Sequence, residues 1–154
     1  MLFCDLAGST SLSTRLDAEE LGEVIGQYFA LCKAAFERHG GFVDREQGDC
    51  LRVYFGYPQA HDDDPVRAAR AALEVASAVR RLGERLGSRV VGPLEVHIGI
   101  HAGEVVAGEL RQVAVGQAPL VVGVVPNVAK RLEELATAGT VLLSGAAHRL
   151  IGPG

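Results

Sequence analysis

Apolar positions change period several times along the chain, and each change marks an element. Met1-Leu2-Phe3-Cys4 is a continuous apolar run ending on Asp5, which reads as a strand. From the capping box Asp17-Ala18-Glu19-Glu20, apolar residues recur at helical spacing, with Leu21, Val24, Ile25, Tyr28, Leu31, Cys32, Ala35 and Phe36 on one face. That helix should run to about His39 and stop at Gly40-Gly41. Phe42 to Gly56 has the pattern of a β-hairpin, with Gly48-Asp49 at the turn and Leu51-Arg52-Val53-Tyr54-Phe55 as the return strand.

Asp64 is expected to cap a second long helix whose first residue is Pro65. Its inward face would be Val66, Ala69, Leu73, Ala76, Val79, Leu82 and Leu86, with the arginines solvated. Leu94 to His101 alternates as a strand, which puts His97 and His101 on one side. A histidine metal site there lacks an evident third ligand. Gly103 to Gly108 reads as a turn and a short strand, and Leu120-Val121-Val122 as another. Pro126 suits the first position of a helix reaching Leu135, in which Asn127 and Arg131 share a face and Val128, Leu132 and Leu135 form the apolar one. Thr140 to Leu143 is a last strand and Ala146 to Ile151 a short helix. This order predicts an α+β sandwich, helices packed over a largely antiparallel sheet.

Composition narrows the class. At 154 residues the chain is long enough for one domain and too short for two ordinary ones, and 48% hydrophobic with 22% charged residues is a globular profile. The net charge of −4 argues against a nucleic-acid or anionic-membrane partner. Cys4, Cys32 and Cys50 are odd in number and form no CxxC pair, so free thiols and a cytoplasmic setting are expected. No signal peptide or run of membrane-spanning length is present. Met1 already lies in strand-like sequence, which suggests a domain cut from a larger multidomain protein.

The chemistry gathers at a few positions. Asp5 and Asp49, at the ends of neighbouring strands, can converge on a divalent cation. The small, hydroxylated segment Leu6 to Ser13 could present backbone N–H groups to a phosphate, or be an ordinary loop with a helix cap. Asn127 and Arg131 could hold a ribose and a phosphate, or simply decorate a surface.

Four segments together carry a resemblance. Phe3-Cys4-Asp5-Leu6-Ala7-Gly8-Ser9-Thr10, then Gly48-Asp49 with Val53-Tyr54-Phe55-Gly56, then His97 to Val105, then Pro126-Asn127-Val128-Ala129-Lys130-Arg131-Leu132 resemble the catalytic domain of class III nucleotidyl cyclases, in family order. Gly56 to His61 is similar to bacterial members fused to large ATPase and repeat regions. The resemblance implies a ferredoxin-like core that works as a head-to-tail homodimer with nucleoside triphosphate sites at the interface. It makes Asp5 and Asp49 the ligands of two Mg²⁺ or Mn²⁺ ions, and Ala7, Gly8, Ser9 and Thr10 part of the substrate site. Asn127 matches the ribose-orienting asparagine and Arg131 the transition-state arginine, both supplied by the opposite protomer.

The base-reading positions depart from the family pattern. Arg45 stands where a lysine is usual, and the two cations are not interchangeable in a fitted pocket. Leu120 stands where adenylate cyclases usually have Asp or Thr, and it has no hydrogen bond to offer a base. The activity implied is conversion of ATP to 3′,5′-cyclic AMP and pyrophosphate. The competing reading is a catalytically weak or inactive nucleotide-binding, dimerising regulatory domain. A ferredoxin-like RNA-binding domain is disfavoured by the acidic charge.

Overall fold

The computed structural model describes residues 1–45, 48–105 and 123–152. The central strand is β1 (Leu2–Leu6), paired antiparallel on one side with β3 (Leu51–Tyr54) and on the other with β4 (Val96–Ile100). β2 (Phe42–Arg45) pairs antiparallel with β3, and β5 (Thr140–Leu143) lies parallel to β4. The sheet order is β2-β3-β1-β4-β5. Between these strands run α1 (Ser9–Arg15) and α2 (Ala18–Arg38) after β1, and α3 (Asp64–Leu86) after the hairpin. α4 (Val124–Leu135) precedes β5, and α5 (Gly145–Ile151) follows it. Without α1, the first four strands with α2 and α3 form a βαββαβ unit of ferredoxin-like topology, as expected.

Apart from Asp5, β1 is apolar because both its faces are covered. Leu2, Cys4 and Leu6 pack into the main core with Val24, Tyr28 and Phe36 of α2 and Val75, Val79 and Leu82 of α3. Phe3 points to the other face, against Cys50 and Ala129 of α4. The strand's pleat therefore sorts its residues between two helical layers.

α2 starts where its capping box put it. Asp17 accepts from the Glu20 amide at 2.8 Å, and the Asp17 amide donates back to Glu20 at 3.2 Å. Asp17→Ala should cost about 1 kcal/mol, read as a lower urea midpoint at unchanged slope.

Three local expectations are corrected. Residues 9–13 belong to a short helix, entered through Gly8 at φ +72°, rather than to a loop. Asp64 opens α3 rather than capping it, and its Oδ2 accepts from the His61 amide at 2.7 Å. The buried face of α3 is Ala68, Ala71, Ala72, Val75, Val79, Leu82 and Leu86, while Leu73 is 64% exposed. Small residues let α3 lie close to its neighbours, so the alanines mark the inner face better than the largest side chains do.

α4 differs in a similar way. Pro126 sits in its first turn as the third helical residue, Leu135 is 61% exposed, and the buried positions are Ala129 and Glu133. The cause is Gly99 on β4, where an added Cβ would fall 2.2 Å from the Glu133 nitrogen and 2.5 Å from the Ala129 oxygen. The helix backbone rests directly on the strand, so its inner face has no room for leucine.

The expected strands at 106–108 and 120–122 lie outside the described residues. Among the described residues, no helix is long and apolar enough to cross a membrane.

Candidate active site

Alternation along β1 sends Asp5 to the same face as Phe3, at the end of the strand, where it stays half-buried. Its Oδ1 accepts from the Leu6 amide at 2.9 Å. Asp49 sits in the turn between β2 and β3, after Gly48 at φ +70°. Because Cys4 pairs with Leu51, this turn lies beside the end of β1. The Asp49 carboxyl lies near enough to Asp5 to disfavour its ionised form. Burial first, and then the adjacent Asp49 carboxyl, push the Asp5 pKa from 3.8 up to about 7. Asp49 Oδ2 is buried and finds no hydrogen-bond partner among the described residues.

A like-charged pair with an orphaned buried oxygen is costly without a counter-charge. Hard oxygen donors in that arrangement fit a divalent cation such as Mg²⁺ or Mn²⁺. Among the described residues no third His, Cys, Asp or Glu joins them. Such an ion would need further oxygens from elsewhere, as Mg²⁺ commonly takes them from water and substrate phosphates.

Asn127 and Arg131 are both on α4 and both exposed. At about 100° per residue, each points about 160° away from Ala129, the residue packed on the sheet. The Arg131 side chain is 72% exposed and lies 3.3 Å from Glu134. Asp5 and Asp49 therefore converge within one chain, while Asn127 and Arg131 are aimed away from the sheet that carries them.

Residues 1–152 match the family profile of the adenylate and guanylate cyclase catalytic domain. The chain belongs to that family. Among solved structures, this cyclase domain is similar to the guanylyl cyclase Cya2, at 33% identity and a TM-score of 0.85 over 99% of this chain and 77% of that one. It is also similar to the adenylyl cyclase CyaB from P. aeruginosa, at 28% identity and a TM-score of 0.84 over 97% of this chain and 78% of that one. An adenylate cyclase of Anabaena cylindrica is 30% identical over 139 residues, 88% of this chain. This class III domain spans only 26% of the length of that curated relative.

The remaining positions of the cyclase pattern fall as follows. Ala7 donates its amide to the Glu95 oxygen at 2.8 Å, and Gly8, Ser9 and Thr10 turn the chain from β1 into α1 just beyond Asp5. No side chain among the described residues caps α1. Arg45 closes β2 opposite Leu51, and Leu120 lies outside the described residues. His97 and His101 face structural partners: their Nδ1 atoms lie 2.7 Å from the Ala136 oxygen and 2.8 Å from Ser144 Oγ.

Sequence reasoning missed Lys130 and Glu133. Their side chains meet at 2.6 Å on the inner side of α4, and Glu133 is only 4% exposed. The available signal was an i,i+3 pair of opposite charges beside the small Ala129, but nothing in the spacing says which face is buried.

Proposed function

We propose that this domain is an active cyclase converting ATP to 3′,5′-cyclic AMP and pyrophosphate at sites shared by two copies arranged head to tail. The observation that carries the reading is the division of the site. Asp5 and Asp49 pair on one face, while the two polar residues expected to complete the chemistry point away from it on α4. A second copy presenting its α4 would bring Asn127 and Arg131 to the acids. One chain alone then has no complete site.

The reaction joins the ribose O3′ to the α-phosphorus, breaks the bond to pyrophosphate and releases the 3′-hydroxyl proton. Asp5 and Asp49 would hold Mg²⁺ or Mn²⁺, two ions per site, whose chemistry is to acidify the hydroxyl and neutralise phosphate charge. Arg131 of the second copy stabilises charge on the transferring phosphoryl group, an effect of several kcal/mol for a well-placed donor, roughly 3–4 kcal/mol. Asn127 orients the ribose, and the segment Ala7 to Thr10, at the entry to α1, would line the phosphate side of the site. ATP as substrate is supported by the names of the Anabaena and P. aeruginosa relatives, whereas Cya2 is named a guanylyl cyclase. Buried thiols at Cys4, Cys32 and Cys50 suit a reducing, cytoplasmic compartment. The greater length of the relatives supports a module of a longer protein.

The test is turnover of ATP, GTP, CTP and UTP in parallel with Mg²⁺ or Mn²⁺, with products read by mass spectrometry. Cyclic AMP should predominate. Asp5→Ala and Arg131→Ala should each be inactive alone, and an equimolar mixture should regain about a quarter of wild-type activity, since half of randomly formed dimers are mixed and each holds one intact site. Nucleotide binding without any cyclic product would instead establish the regulatory reading that Arg45 and Leu120 suggest. A mixture as inactive as its parts would rule out the shared site.

A further inference from the structure

Lys130 occupies an unusual place for a lysine. Its Nζ lies 2.6 Å from Glu133 Oε2, 3.6 Å from Cys50 Sγ and 5.7 Å from the centre of the Phe3 ring. Cys50 follows Asp49 in the hairpin turn, and Phe3 is two residues before Asp5 on the same face of β1. The ammonium thus stands beside a side chain from each of the two segments that deliver the acids. Glu133 is buried over Gly99, which pairs with Phe3 in the sheet. Partial burial works against the lysine's charge, but Glu133, Cys50 and Asp5 outweigh it and keep the ammonium protonated above its ordinary range.

A half-buried ion pair adds little net stability, because desolvation offsets much of the attraction. Its electrostatic effect on neighbours persists, since fewer waters screen it. We propose that the Lys130–Glu133 pair on the inner side of α4 sets the cation affinity of the Asp5–Asp49 carboxylates in its own chain, Lys130 lowering it and Glu133 raising it. Lys130 and Glu133 are positioning residues here, acting through the acids rather than touching the substrate. The proposal rests on the reading of Asp5 and Asp49 as cation ligands. Physically, each carboxylate pair presents a potential to an incoming cation, and one fixed charge beside it changes that potential without supplying or removing a ligand. The two halves of the pair must then shift affinity in opposite directions.

The experiment measures Mn²⁺ binding to the nucleotide-free protein at constant pH and ionic strength, by electron paramagnetic resonance of the free ion, with thermal melting to confirm folding. Lys130→Met should tighten binding about five- to tenfold, Glu133→Gln should weaken it about as much, and Lys130→Arg should stay within about twofold of wild type. Lys130→Gln, which keeps a hydrogen-bond donor for Glu133, should tighten binding likewise and replaces Lys130→Met if that variant does not fold. A merely structural pair would move both variants the same way or neither, and either result overturns the proposal. Asp5→Asn separates the two levels. If it abolishes Mn²⁺ binding while the Lys130 and Glu133 variants match wild type, only this proposal falls. If wild type binds no Mn²⁺, or Asp5→Asn binds as wild type does, the reading of the acids as ligands falls and takes this one with it.

Discussion

Asp49→Asn is expected to reduce cyclic nucleotide formation on the order of a thousandfold while making the metal-free domain more stable above pH 7. The lost activity follows from removing one of the two anionic donors that would hold the cation. The gained stability follows from relieving the Asp49 share of the strain on Asp5, whose larger cause is burial. In the fold the Asp5 pKa is raised from 3.8 to about 7, so the protonated form is the one the native structure favours. That contribution is complete below about pH 4 and is lost as the pH climbs through about 7. A shift of this size in a buried group would be worth about 4 kcal/mol, and solvent screening of the half-exposed carboxyl brings it to about 1–2 kcal/mol.

In EDTA, wild-type melting temperature should therefore fall between pH 5 and pH 8, by about 2–4 °C for each kcal/mol lost. Asp49→Asn should show a flatter profile, because its amide carries no charge and can donate to Asp5. Mn²⁺ at pH 8 should restore the wild type and leave the variant unchanged. Scanning calorimetry across pH, with and without the ion, checks all of this. Parallel wild-type and variant profiles in EDTA would mean that the two carboxyl groups do not repel as the structure places them. A site that costs stability in order to bind is the trade expected of functional residues.

Gly99→Ala should lower activity about a hundredfold and cost about 1–3 kcal/mol of stability, the usual range for an overfilled core. The new methyl group would sit 2.2 Å from the Glu133 nitrogen, 2.5 Å from the Ala129 oxygen and 2.8 Å from the Glu133 Cα. All three are backbone atoms of α4, so no side-chain rotation relieves the contact and the helix has to lift. Asn127 and Arg131 ride on that helix, and a misplacement of about 1 Å in a catalytic group can cost about a hundredfold. Gly22→Ala is the control: its Cβ meets nothing within 4 Å at an exposed position of α2, and helix propensity favours alanine. Steady-state kinetics and urea unfolding of both variants decide the matter. A Gly99→Ala enzyme with wild-type turnover would show that α4 does not need its close seat on β4.

The sequence was most legible where a local signal and a tertiary consequence coincide. The capping box at Asp17 and Glu20 satisfies backbone groups within one turn, and α2 begins there. Gly48-Asp49 between two apolar strands produced the hairpin, and with it the place of the second acid. Asp5 was legible because it interrupts an apolar strand at its end. The inner faces of α3 and α4 were less so. Their buried positions are set by how near a neighbouring backbone comes, and alanine at 68, 71, 72 and 129 carries a weaker periodic signal than Leu73 or Leu135, both of which are exposed.

By its own pattern the chain determined a βαββαβ framework, two acids at adjoining strand ends, and an asparagine and an arginine four residues apart on one helix. Those features depend on spacing and on hydrogen bonds within a few residues, which a linear reading can follow. The tertiary structure alone decided that the acids meet closely enough to perturb each other, that Asn127 and Arg131 turn outward, and that Lys130 and Glu133 turn in beneath the pair. Each of these depends on how one element sits against another. For α4 that seat is made by the missing side chain of Gly99, thirty residues upstream of Ala129.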